Sequence, residues 1–85
     1  MSGYRIHFHA KGDAEAIGLP EDAFLALTEA LTDVLRDPWA ATRPEDASAD
    51  PAFRWTPFGL GLGIVHVLVD EQARTVTVHG ITWIG

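Results

Sequence analysis

The sequence predicts an α+β fold in the order β-α-α-β-β-β, an antiparallel sheet with a two-helix hairpin packed on it. Three observations predict it. The chain opens on strict apolar–polar alternation. It continues into a stretch whose apolar residues return every three or four positions, and it closes on three β-rich segments separated by turn residues. Its 85 residues are the length of one domain, spanning 1–85, and a hydrophobic content of 47% lets a single core form at that size.

Alternation places Tyr4, Ile6 and Phe8 on one face of the opening strand and Arg5, His7 and His9 on the other. Lys11-Gly12-Asp13 breaks the strand. Asp13 then caps a short helix over residues 14–17, which Gly18 ends. Pro20 opens a second helix at its first position, where a backbone N–H would have no helical acceptor anyway. Glu21 and Asp22 follow at the positive end of that helix dipole. Phe24, Leu27, Leu31, Val34 and Leu35 recur on one face, which is the face expected against the sheet. Asp37-Pro38 stops the helix, because proline disfavours the helical conformation in the residue before it.

Residues 40–52 show neither period and read as an acidic surface loop. Phe53-Arg54-Trp55-Thr56 alternates before Pro57, and residues 59–63 form a glycine-rich connection. Residues 64–69 are almost all aliphatic, as expected of a central strand covered on both faces. A turn at 70–73 leads to renewed alternation at 74–78. Beyond it the apolar phase shifts, Val76 and Val78 having one parity and Ile81 and Trp83 the other. A bulge at His79-Gly80 accounts for the shift.

With no cysteine, disulfides and thiolate zinc sites are excluded, and a reducing cytoplasm is the expected setting. No basic-then-apolar leader opens the chain, and no apolar run approaches the ~18 residues of a membrane span. Twelve Asp and Glu oppose six Lys and Arg, a formal charge of −6. Proteins that hold a nucleic-acid backbone gain affinity by releasing counterions through cationic contacts. Here Arg5, Lys11, Arg36, Arg43, Arg54 and Arg74 form no run or stripe, so the charge argues against RNA as a partner.

The order of elements, with its long second helix and short last strand, resembles the RelE/ParE toxin superfamily. Tyr4-Arg5-Ile6-His7-Phe8 is similar to that family's opening strand. Ala14, Leu19-Pro20, the helix and Leu35-Arg36-Asp37-Pro38-Trp39 resemble the family's helical hairpin in spacing. Phe53-Arg54-Trp55, residues 64–71 and Val76-Thr77-Val78 resemble its closing strands. The resemblance implies a toxin paired with an antitoxin. Its nuclease members are basic and cut messenger RNA on the ribosome with Arg, Lys, Tyr or His side chains on the concave sheet and near the C-terminus. This sequence departs at three places. Gly63 stands where the third strand commonly begins with Arg, His66 stands where an aromatic is common, and the chain ends at residues 81–85 without the basic or aromatic tail expected after the last strand. Arg54 matches a recurrent family arginine. The departures remove positive charge of the kind that stabilises a developing phosphorane.

Each candidate side chain also has a structural reading. Arg54 either binds phosphate or pairs with a loop carboxylate such as Asp50, and the acidic balance favours the second. His66 has the chemistry of a general acid or base, with a reference pKa near ~6.5, but an imidazole inside an apolar strand is more often a bonded structural group. His79 is the remaining proton carrier if the chain is a nuclease. His7 and His9 at i, i+2 would need His79 as third metal ligand, with no acidic partner, so no metal is expected. Residues 59–63 lead into a strand and lack the Lys-Ser/Thr ending of a phosphate loop. Base stacking on Trp39, Trp55 or Trp83 would need cations alongside, and Trp39 and Trp83 are better expected as anchors for a protein partner.

The expected function is therefore a RelE/ParE-like toxin component of a type II toxin–antitoxin system, acting mainly through protein contacts, with ribonuclease activity weak or absent. Its partner would be a cognate antitoxin or another small protein, with no cofactor and no membrane. Two alternatives stand beside it. One is a ribosome-dependent messenger-RNA endoribonuclease that uses Arg54, His66 and His79. The other is an orphan protein-binding domain outside any toxin system.

Overall fold

A computed structural model of the chain describes residues 3–85. In chain order the elements are β1 (Arg5–Phe8), α1 (Ala10–Ile17), α2 (Glu21–Arg36), α3 (Pro38–Ala41), β2 (Arg43–Pro44), β3 (Phe53–Phe58), β4 (Gly63–Asp70) and β5 (Thr75–Trp83). They form one five-stranded sheet in the order β1-β5-β4-β3-β2. The closing strands β3, β4 and β5 make the expected antiparallel meander. β1 differs. It runs parallel to β5, Arg5 opposite Thr75 and Phe8 opposite Val78. A parallel pair needs a long crossover, and here the helices and the meander between β1 and β5 provide it. All the longer helices thereby fall on one face of the sheet.

α1 begins four residues earlier than expected, at Ala10, and its cap is His9 rather than Asp13. The His9 ring accepts from the Lys11 N–H at 3.4 Å. Gly12 therefore lies inside the helix instead of breaking the chain. A Cβ there would stand 2.5 Å from the Val78 carbonyl oxygen, so the glycine permits α1 to sit directly against β5. Pro20 is the residue before α2 rather than its first turn, and Asp37 has two roles at the other end. Its N–H closes α2 on the Asp33 carbonyl, and its carboxylate accepts from Ala40 N–H at the start of α3, with Pro38 in the first turn. The segment expected as a surface loop thus contains the end of α3 and the short edge strand β2.

The core joins Leu27, Leu31 and Val34 of α2 to Val65, Val67 and Val69 of β4 and Val76, Val78 and Ile81 of β5. Phe24, expected on that face, is exposed, and Ala23 is buried in its place. The rest of the stripe, Leu27, Leu31 and Val34, is buried as expected, and the change is confined to the first turn, where Ala23 lies beside Gly59 and Trp83. β4 is central but covered on one face only. Its residues alternate between buried valines and half-exposed Ile64, His66 and Leu68. With one helical layer, nothing packs over the second face. The bulge falls where the phase shift places it: His66 pairs with Gly80 and Val67 with Val78, which leaves His79 unpaired. Glu15 of α1 accepts from the Ile81 N–H just beyond, at 2.7 Å, and this bond leads the causes that hold its carboxyl below the usual range.

Candidate functional site

Register decides which side chains share the uncovered face. Phe53 lies opposite Leu68, Leu68 opposite Thr77, and Thr77 opposite His7. Trp55 lies opposite His66, and Arg43 opposite Trp55. The bulge then turns His79 into this row, where it stacks on His9 at 5.3 Å between ring centroids and meets Phe53 at 5.5 Å. All four histidines of the chain thus lie on or beside the open face. His66 Nδ1 is 3.1 Å from a carboxylate oxygen of Glu45, and the Arg43 guanidinium lies 5.7 Å over the Trp55 ring. The His79 pKa is held below the usual imidazole value, first by burial and then by repulsion from His9. At neutral pH it is a neutral base rather than a cation.

Arg54 is not with them. It pairs with Val67 and Pro44, on the side that the helices cover. Its Nε donates to the Thr42 hydroxyl at 2.6 Å, and its terminal nitrogens donate to the carbonyls of Thr42 (2.9 Å), Trp39 (3.3 Å) and Pro51 (3.4 Å). It also stacks over the Trp39 ring at 5.0 Å. The structure brings His66 and His79 onto one face and places Arg54 behind it, as the tie between α3, β2 and the loop before β3. Asp50 is not its partner.

Trp39 is held from a second direction. Its indole N–H donates to Glu71 Oε1 at 2.8 Å, and the same oxygen accepts the Tyr4 hydroxyl at 2.6 Å. Arg74 donates to the other Glu71 oxygen at 2.6 Å and lies 4.1 Å over the Tyr4 ring. These donors, Tyr4 first and then Trp39, hold the Glu71 carboxyl below the ordinary range. The same carboxylate raises the Tyr4 phenol. Nothing in the sequence signals this cluster, because Tyr4 and Glu71 are 67 positions apart.

Trp83 sits at the opposite end of the sheet, stacked on Phe58 at 5.6 Å, its indole nitrogen buried with no hydrogen-bond partner. It lines a depression of about 390 Å³ with Ala26, Leu60 and Leu62. Gly63 belongs to the same packing. A Cβ there would stand 2.4 Å from the Phe58 ring, so the ring occupies the space that a side chain at this position would need. Among the described residues no three His, Asp or Glu converge on a point that would hold a metal ion. Among the described residues no helix is long and apolar enough to cross a membrane.

No protein-family model matches the sequence, and no curated protein does. Solved structures do. The chain superposes on RelBE2, a toxin–antitoxin complex of Mycobacterium tuberculosis, with a TM-score of 0.82 at 17% identity, covering 96% of this chain and 99% of that one. The isolated E. coli RelE toxin gives 0.82 at 17% identity, covering 96% and 85%. The RelE–RelB complex of the archaeon Pyrococcus horikoshii gives 0.68 at 15%, covering 96% of each chain. Architecture, not sequence, carries the likeness, and this chain has the RelE-like fold.

Proposed function

We propose that the chain is a RelE-like toxin component of a toxin–antitoxin pair that acts mainly through protein contacts, in the cytoplasm, with ribonuclease activity weak or absent. The toxin assignment rests on the likeness to RelE chains solved with antitoxins. The mode of action rests on the placement of Arg54. It is the one cation that matches a recurrent arginine of the RelE/ParE superfamily, and its donors already serve Thr42, Trp39 and Pro51 on the covered side. Gly63, where that superfamily commonly has another arginine, is closed by Phe58. A transition state that gathers charge on phosphate oxygens would find little fixed positive charge here.

A nuclease reading has one observation in its favour, the shared face of His66, His79, Trp55 and Arg43. There His79 would take a proton and Arg43 would meet phosphate. Programmed ribosomes carrying a defined messenger RNA separate the two. The expected result is no specific cleavage at enzyme concentrations where a basic RelE cuts to completion. Cleavage abolished by His66→Ala or His79→Ala would replace the first reading by the second.

A further inference from the structure

Where β4 runs past the start of β3, beside α3, the surface holds a groove of about 400 Å³. Its apolar walls are Trp39, Ala52 and Leu68, and its rim carries Asp50, Asp70 and Glu71. No Lys or Arg lines it. Glu71 has its charge matched by Arg74. Asp50 and Asp70 each use one oxygen as a backbone cap, for Ala52 N–H and Ala73 N–H, both at 3.0 Å. Among the described residues neither is in an ion pair. The groove therefore joins an apolar floor to two carboxylates of unmatched charge. The Trp39 wall is fixed in advance, tied by its N–H to Glu71 and stacked by Arg54.

We propose that this groove receives a basic segment of a protein partner. An Arg or Lys side chain lays its alkyl stem on Leu68, Ala52 and the exposed edge of Trp39, and its head pairs with Asp50 and Asp70. The shape suits that residue type, because long cationic side chains bury the stem and keep the head at a polar rim. The prior fixing of Trp39 removes an ordering cost that would otherwise weaken binding. An acidic segment would meet two bare carboxylates and be repelled. The proposal rests on the reading that the chain works through protein contacts, and it specifies the chemistry of the contact.

The probes are two capped hexapeptides, one alternating leucine with arginine and one alternating leucine with glutamate, titrated into the intact isotope-labelled protein by NMR. The arginine peptide is expected to shift the Trp39 indole N–H and the amides of Leu68 and Asp70, and the glutamate peptide to shift none. Asp50→Asn with Asp70→Asn keeps both backbone caps and removes both charges. It should weaken the arginine peptide roughly 3- to 10-fold, the scale of two partly exposed ion pairs. Equal binding of the two peptides, shifts scattered over the acidic surface, or an unchanged affinity in the double variant overturns the groove assignment. The cleavage assay reports separately. Groove binding with specific cleavage would sink the functional reading and leave the groove, whereas a protein partner that binds only elsewhere would sink the groove alone.

Discussion

Arg54 carries the most information of any single residue, because its two readings predict opposite phenotypes. If it held substrate phosphate, Arg54→Ala would remove activity and leave stability near wild type. Bonded as it is to Thr42, Trp39 and Pro51, its loss should instead destabilise the fold by about 1.5–3 kcal/mol, the usual worth of a hydrogen bond to a charged group in a partly buried site. Urea denaturation measures this, and a loss below about 0.5 kcal/mol, typical of a free surface residue, would contradict the anchoring role. His79 gives a second test at this scale. Its folded pKa lies below the ordinary 6.5, so the unfolded chain binds the proton more readily. Its contribution is therefore full above about pH 6.5 and is lost as pH falls through the depressed folded value. His79→Gln should flatten the slope of stability against pH in that window, and an unaltered slope would show that burial does not disfavour its charged form. The sequence brings His66 and His79 to attention as imidazoles in β segments. It says nothing of Glu71, whose role arises when Tyr4, Trp39 and Arg74 converge from three distant parts of the chain.

At the scale of elements, legibility follows how local the determinant is. The long helix, the meander and the bulge were all readable, since periodicity and the parity change at His79-Gly80 are properties of adjacent residues. The start of α1 was not. Lys11-Gly12-Asp13 has the composition of a break, and only the closeness of the Val78 carbonyl explains a glycine inside a helix. β1 alternates as any half-buried strand does, and alternation carries no direction, so its parallel pairing with β5 is visible only in the fold. Phe24 erred for a related reason. A helical stripe specifies a face to within about one residue, and at the first turn it is Ala23, beside Gly59 and Trp83, that is buried. Leu31 lies inside either version of the stripe and is 5% exposed, so Leu31→Ala should cost roughly 2–5 kcal/mol. A shift in the denaturation midpoint equivalent to less than about 0.5 kcal/mol would mean that α2 presents another face to the core.

For the whole molecule the governing quantities are the shared architecture and the opposed charge. A mixed sheet with helices on one side leaves a face and two edges free for contact, and RelE chains of the same architecture are found in complexes with antitoxins. The resemblance to the RelE/ParE superfamily implies a basic toxin meeting an acidic partner segment, and opposite charges speed such an encounter. At −6 this chain would repel such a segment. A cognate partner, if it is the product of the neighbouring reading frame, should therefore present a neutral, apolar or basic wrapping segment. Salt then distinguishes the types. Added salt screens exposed charge pairs over roughly 8–10 Å and leaves apolar burial almost untouched. A basic segment seated at Asp50 and Asp70 should lose affinity between low and high salt, and an apolar one resting on exposed Leu25, Leu60 and Ile84 should lose little. Calorimetric titration of the neighbouring gene product at both salt concentrations reads this directly. Tight, salt-sensitive binding by a strongly acidic segment would mean that Arg5 and Arg43 of the open face outweigh the net charge. The case for a chain that works without a positive groove would fail with it.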